Sequence, residues 1–406
     1  MNEPTRARWR RFISLAPLLV LALAACGPDV PNSIFGAHSD FGHDVDDLTR
    51  FLLKLGLGVF VFVEALLIFA VFKYRHREGA PPAKQIHGNT TLEISWTFVP
   101  AVILAIIAIP TVRLIFKTQA EAPAGALQVE VIGHQWWWEF RYPEYNIITA
   151  NELYLPANRT VSFSLRTNDV LHSFWMPQLN GKRDLISNRT NHLWFTPDSV
   201  GAYNGFCAEF CGASHANMRF KVFVVPPEQF AQYVAHQQSP PVFPLALDTT
   251  AKPAKAAKGP SSPPPQSTTV PLTTAQATTG TWPMDQLPKW VVPATPLPVT
   301  LADTMPGDAA RGAATFKTAP CIACHTVQGV SAGVIGPNLT HVGSRTSIAA
   351  GLYPNDHAHL VAWIMDAPDM KPGSQMMMLG RPMMGGPSGL TDQQIADIAA
   401  YLSALK

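Results

Sequence analysis

Of the five cysteines in this 406-residue chain, four fall in two short clusters whose neighbours could hold a redox group. Cys321-Ile322-Ala323-Cys324-His325 has the C-x-x-C-H spacing in which two thioether bonds fix a haem and the adjoining histidine is forced onto its iron. That iron needs a second axial ligand. A methionine thioether stabilises ferrous iron and raises the potential, as suits an electron carrier, and Met370, Met376, Met377, Met378, Met383 and Met384 are the candidates. A structural zinc site or a thioredoxin-like pair explains Cys321 and Cys324 less well, because neither requires His325 or a methionine-rich stretch. In the second cluster Cys207, Cys211, His215 and Met218 lie within twelve residues, a soft donor set that suits copper over hard cations. One loop cannot close such a site alone. His172 lies at the end of a strand-like run from which a sandwich could present it to the loop. A zinc held by Cys207, Cys211, His215 and His172 leaves Met218 unexplained. A disulfide, the ordinary expectation outside the cytoplasm, leaves the histidines incidental as well.

The elements that must position these residues follow from the rest of the pattern. Basic residues Arg6 to Arg11, an apolar run and Leu23-Ala24-Ala25-Cys26 read as a secretory signal over 1–25, with the lipobox pattern that makes Cys26 the lipidated first residue of the mature chain. A plain signal or an uncleaved third span are the alternatives. After an N-terminal extracytoplasmic segment (26–49), residues 50–118 form a transmembrane hairpin: Phe51–Phe72 and Trp96–Phe116 each approach the ~20 residues needed to cross a bilayer. Lys73, Arg75, Arg77 and Lys84 between them place the hairpin loop inside and everything after it outside. Glu64, in mid-span, is read as facing a partner subunit, since a lipid-facing carboxylate is costly. Period-two runs at 128–132, 160–165 and 221–225 make 119–236 a small β-sandwich or barrel. Residues 237–303 are a proline-rich linker, because fourteen of the chain's 37 prolines fall between 239 and 300, too densely for a packed core. Residues 304–406 are an all-α unit with helices expected at 308–316, 359–365 and 391–402, the last capped by Thr391. A net charge of +2 with 14% charged residues argues against nucleic acid as a partner.

Two resemblances sharpen this. Gly336-Pro337-Asn338-Leu339 after the haem motif and Lys371-Pro372-Gly373-Ser374-Gln375-Met376 before the last helix resemble a class I cytochrome c, which implies His325 and Met376 as axial ligands. The usual proline after that methionine is replaced by Met377, which keeps neighbouring methionines as alternatives. Residues 40–230 resemble the CuA-bearing subunit II of haem-copper oxidases, and the fused cytochrome gives a caa-type arrangement. The fold implied is a two-helix transmembrane hairpin, a cupredoxin-like Greek-key β-sandwich and an all-α class I cytochrome c domain.

Carried over position by position, Cys207 and Cys211 bridge two coppers, and His172 and His215 are terminal ligands. Met218 and the backbone carbonyl of Glu209 are the weak ligands, one on each copper. The Glu209 side chain is implied as a ligand to a magnesium shared with subunit I. Within Gly133-His134-Gln135-Trp136-Trp137-Trp138-Glu139, Trp136 is where electrons arrive, with Trp137 and Trp138 lining the site; an aromatic sheet core is the alternative for at least one of the three. Glu93 matches a carboxylate at the mouth of a proton path. Ser187-Asn188-Arg189 departs from the Pro-Gly-Arg common in relatives, so the surface there is expected to differ. The implied partners are subunit I (haem a and CuB), subunit III, membrane lipid, and a soluble cytochrome c or a quinol-oxidising complex as donor. The implied location is a bacterial inner membrane. A nitric oxide reductase subunit is the nearest rival. Nitrous oxide reductase requires a large His-rich domain, quinol oxidase subunits lack the copper ligands, and a copper-delivery lipoprotein calls for an exchangeable site.

Overall fold

The computed structural model describes residues 32–75, 79, 85, 87–241, 305–376 and 389–406. Cys26, the proposed signal, nearly all of the linker, and Met377, Met378, Met383 and Met384 lie outside the described residues. Helix α1 (Asp40–Lys73) begins well before the apolar run, because the Ser39 hydroxyl caps it by accepting from the Gly42 N–H at 2.9 Å. Asn89 caps α2 (Thr90–Gln119) in the same way through the Leu92 N–H. Both helices are long and apolar enough to span a membrane, and neither has a buried residue, so their apolar surface is left for lipid or a partner. The top of α1 is clasped by the sandwich: Asp40 donates its N–H to the Thr196 carbonyl (3.2 Å), and its Oδ1 accepts the Thr196 N–H (2.7 Å).

Alternating apolar residues then build ten strands: β1 (Leu127–His134), β2 (Trp137–Tyr142), β3 (Ile147–Ala150), β4 (Glu152–Pro156), β5 (Val161–Thr167), β6 (His172–Trp175), β7 (Arg183–Leu185), β8 (Asn191–Phe195), β9 (Gly201–Cys207) and β10 (Arg219–Val225). They form two five-stranded sheets, in the orders β3-β2-β1-β5-β8 and β4-β10-β9-β6-β7. The pairs β1/β5 and β4/β10 are parallel and the remaining neighbours antiparallel. Trp138, Phe140, Phe163, Phe174, Phe195, Phe220 and Phe223 are wholly buried between the sheets, each stabilising the fold by about 1.5–3 kcal/mol relative to exposure. Helix α3 (Pro227–Gln238) closes one side by stacking Tyr233 on Tyr154, centroids 4.1 Å apart.

The C-terminal unit is helical. Helix α4 (Ala309–Thr318) crosses α8 (Asp392–Ala404), and α6 (His357–Met365), followed by the one-turn α7 (Ala367–Met370), packs beside them. Thr391 caps α8 in a reciprocal capping box with Gln394. The crossing requires a glycine: a Cβ on Gly312 would lie 1.9 Å from the Asp397 carbonyl oxygen. Arg311 braces it, pairing through Nε and Nη2 with the two carboxylate oxygens of Asp397 at 2.8 Å each. A short helix α5 (Cys321–Cys324) carries both haem-motif cysteines.

Candidate metal and haem centres

Strand pairing creates the first site. Phe174 of β6 is opposite Cys207 of β9, so His172 at the start of β6 meets the cysteine at the end of β9, and the connection to β10 folds the remaining donors back over both. Cys207 Sγ lies 3.8 Å from His172 Nδ1, 3.2 Å from the Glu209 carbonyl and 3.7 Å from Cys211 Sγ. Cys211 Sγ lies 3.6 Å from His215 Nδ1 and 3.8 Å from Met218 Sδ. A disulfide would hold the sulfurs about 2.05 Å apart, so this geometry is not one. Spacings of roughly 3.5–3.8 Å are instead those between donors sharing a tetrahedral metal at about 2.0–2.3 Å. Six donors converge, more than the four of a tetrahedral zinc, and the two thiols are the pair central to all of them. Soft sulfur and imidazole donors fit copper.

The electrostatics suit a shared pair. The Cys207 thiol is held down to about 4, first by its hydrogen bond with Cys211 and then, against the cost of burial, by His172. The same interaction pushes Cys211 well above the usual thiol range, so the pair resists losing both protons without a cation beside it. Burial opposes the charged form of His172, but the Asp169 carboxylate and the Cys207 sulfur outweigh it and raise its pKa.

Asp169 is a residue that sequence reasoning missed. Its Oδ1 is 2.7 Å from His172 Nε2, which commits that nitrogen and turns Nδ1 toward Cys207. The carboxylate is fixed by the N–H groups of Gln135 (2.6 Å) and Val170 (2.7 Å). A carboxylate three residues before a histidine in a polar turn carries no motif, and no signal in the chain singled it out. Gly133 makes the room: a Cβ there would stand 2.7 Å from the His172 ring.

The second site is a cleft in the helical unit lined by Cys321, Cys324, His325, Met376 and apolar residues including Leu360 and Ile364. His325 Nδ1 donates to the Pro337 carbonyl at 2.8 Å, which leaves Nε2 for an iron. Burial lowers the His325 pKa and favours the neutral, ligating form. Cys321 is pushed up to about 11 by burial. These residues fit a covalently held haem. Met370 instead is packed in the core with its carbonyl on the Tyr353 hydroxyl, away from the cleft lining.

The three tryptophans separate. Trp136, in the two-residue turn between β1 and β2, donates Nε1–H to the Cys211 carbonyl at 3.0 Å and also lines the haem cleft. Trp137 lines the cleft too and stacks on His134, centroids 4.1 Å apart. Trp138 is a wholly buried core residue, 6.0 Å from the His172 ring by centroids. The Glu209 side chain is exposed beside Phe210, which is 74% exposed. Glu93, in the first turn of α2, accepts from the Asn89 N–H at 3.3 Å, far in sequence from either cluster. At 187–189 Asn188 takes a positive φ of 61°, a left-handed conformation that asparagine and glycine adopt most readily.

Comparison with known proteins agrees in extent and order. The family model described as "Cytochrome C oxidase subunit II, transmembrane domain" matches residues 34–114, "Cytochrome C oxidase subunit II, periplasmic domain" matches 146–225 and "Cytochrome c" matches 309–406. The chain is 30% identical over 421 residues to cytochrome c oxidase subunit 2 of Bacillus sp. (strain PS3), covering 98% of each. It is 30% identical over 353 residues to that of Alkalihalophilus pseudofirmus, covering 84% of this chain and 83% of the relative. The solved periplasmic domain of subunit II of cytochrome oxidase (CoxB) of Bradyrhizobium japonicum is 28% identical with a TM-score of 0.28, covering 29% of this chain and 97% of that one.

Proposed function

Because the chain belongs to the cytochrome c oxidase subunit II family and ends in a cytochrome c domain, we propose that it carries electrons from an external donor, through a haem c on Cys321 and Cys324 and a dinuclear CuA centre, to haem a of subunit I, where oxygen is reduced to water with proton pumping. It is a subunit of an oxidoreductase complex that contains subunit I, and a membrane protein with an extracytoplasmic domain. We place it in a bacterial inner membrane with both soluble parts outside, since Lys73 and Arg75 follow the first span.

The observation that carries this reading is the double attachment of Trp136, which lines the haem cleft and hydrogen-bonds to the loop of Cys207 and Cys211. When bound, the haem and the copper pair supply one-electron redox chemistry. The chain's own residues set its conditions. Cys207 and Cys211 hold the metals together, with His172, His215, Met218 and the Glu209 carbonyl completing the set. Trp138 and Phe174 keep water from behind His172. His325 and Met376, which both line the cleft, would hold the haem iron. We assign the exposed Glu209 carboxylate to a magnesium shared with subunit I, Glu93 to the mouth of a proton path there, and Cys26 to lipidation.

Metal analysis with optical and EPR spectra of the purified chain, made in a host able to attach haem c, tests the reading. Two coppers per haem iron with a mixed-valence copper signal are expected. One zinc, or one exchangeable copper, would overturn it.

A further inference from the structure

The surface between the sandwich and the cytochrome is built around a buried carboxylate. Glu152, at the start of β4, is 1% exposed. Its Oε1 accepts from the Thr346 N–H (2.8 Å), the Thr346 hydroxyl (2.6 Å), the Ser347 N–H (3.0 Å) and the Ser347 hydroxyl (3.1 Å). All four donors belong to the cytochrome domain. All four contacts fall on Oε1, while Oε2 is buried without a hydrogen-bond partner; four donors gathered on one buried oxygen make the contact specific for one seating. A second polar contact lies beside the haem cleft. Lys371, 3% exposed, donates Nζ–H groups to the carbonyls of Trp136 (2.6 Å) and Ala349 (3.3 Å), tying the sandwich hairpin to two segments of the cytochrome. The Ser214 hydroxyl of the copper loop donates to the Pro372 carbonyl. Gly373, at φ +81°, lets the backbone lie so close to the Trp136 ring that a Cβ would stand 2.8 Å from Cη2 and Cζ3.

We propose that Glu152 and Lys371 form a two-point lock that seats the haem cleft on Trp136 and closes that tryptophan to soluble donors. The inference rests on the function proposed above. Residues 242–304 already tether the cytochrome, and a tether alone supplies an effective concentration in the millimolar range. What a tether cannot supply is orientation, because a linked domain is free to meet its partner by any face. The lock selects the face whose cleft Trp136 lines, and the turn of Pro372 and Gly373 then covers the ring that a soluble cytochrome would need to approach.

The test compares the complete oxidase with its Glu152→Ala, Lys371→Met and doubly substituted forms, after spectra have shown both centres in each. In the double variant, haem-to-copper electron exchange should fall about tenfold or more and slow further with solvent viscosity. Soluble cytochrome c should begin to reduce copper directly. Both centres intact, exchange unaltered and no new reactivity would overturn the lock and leave the function standing. Absence of exchange in the unsubstituted oxidase would overturn the function itself. Hydrogen exchange on the unsubstituted chain needs no variant. The amides of Thr346 and Ser347 should be protected, and exchange at the rate of open amides would overturn the lock.

Discussion

Replacing Asp169 with asparagine should loosen copper while leaving the sandwich folded. The carboxylate accepts from His172 Nε2 at 2.7 Å and is itself held by two backbone N–H groups. Hydrogen bonds to a charged group contribute about 1.5–3 kcal/mol and neutral ones about 0.5–1.5 kcal/mol. Asparagine keeps the shape and one acceptor, so the loss is the charge-assisted part, about 1–1.5 kcal/mol. At roughly 1.4 kcal/mol per decade this is about a tenfold drop in copper affinity, the lower end of what partners of metal-bound histidines usually contribute. Asp169→Ala removes the acceptor altogether and should cost closer to a hundredfold. Competition with a graded chelator, followed by the copper absorption, reads the shift directly, and thermal melting followed by circular dichroism reports the fold. If both variants release copper at the same chelator concentration as the parent chain, Asp169 does not position His172 and the argument from geometry is refuted.

Met376→Leu should leave the haem attached but abolish its low-spin, methionine-ligated spectrum; an unchanged spectrum would move the ligand to a neighbouring methionine. Gly312→Ala forces a methyl into the Asp397 backbone, and overpacking of this severity should cost about 3 kcal/mol, lowering the melting temperature of the cytochrome domain by roughly 10 °C or more. An unchanged melt would mean that α4 and α8 do not cross where described. Burial acts to raise the pKa of Asp397, but hydrogen bonds from Arg311, the Asp308 N–H and Gln393 outweigh it and hold the carboxyl below the usual range. A depressed pKa contributes stability that is full above the unfolded value of about 3.9 and is lost as pH falls through the folded one. Asp397→Asn should therefore flatten the fall in melting temperature on the acid side, and parallel acid profiles for the two proteins would exclude that contribution.

Both cysteine clusters could be read as candidates from the sequence because metal and haem chemistry asks for particular ligand types within a few residues of each other. The helix at Asp392–Ala404 was legible for a similar reason, since Thr391 and Gln394 form a local cap. The start of α1 was not, because Asp40 to Thr49 is polar and becomes helical through the Ser39 cap and the grip of Thr196, neither of which is an apolar signal. Glu152 escaped for a deeper reason: its role arises through Thr346, distant in the chain, and no periodicity encodes a contact of that range. Asp169 lies only three residues from His172, but a lone carboxylate at that spacing forms no motif. Among the tryptophans the sequence left one of the three to be a core residue without saying which, and packing identifies it as Trp138, with Trp136 at the hairpin tip.

The clasp between Asp40 and Thr196 carries a mechanical consequence. With 34 residues at about 1.5 Å each, α1 is about 51 Å long, whereas the hydrocarbon layer takes up only about 30 Å. Some 20 Å of helix therefore stands clear of the lipid tails, gripped at its top by Thr196, just past strand β8. The sandwich and its cysteine loop ride on a mast whose height is set by helix length, and any change in the tilt of the hairpin is delivered to that loop as a sideways sweep.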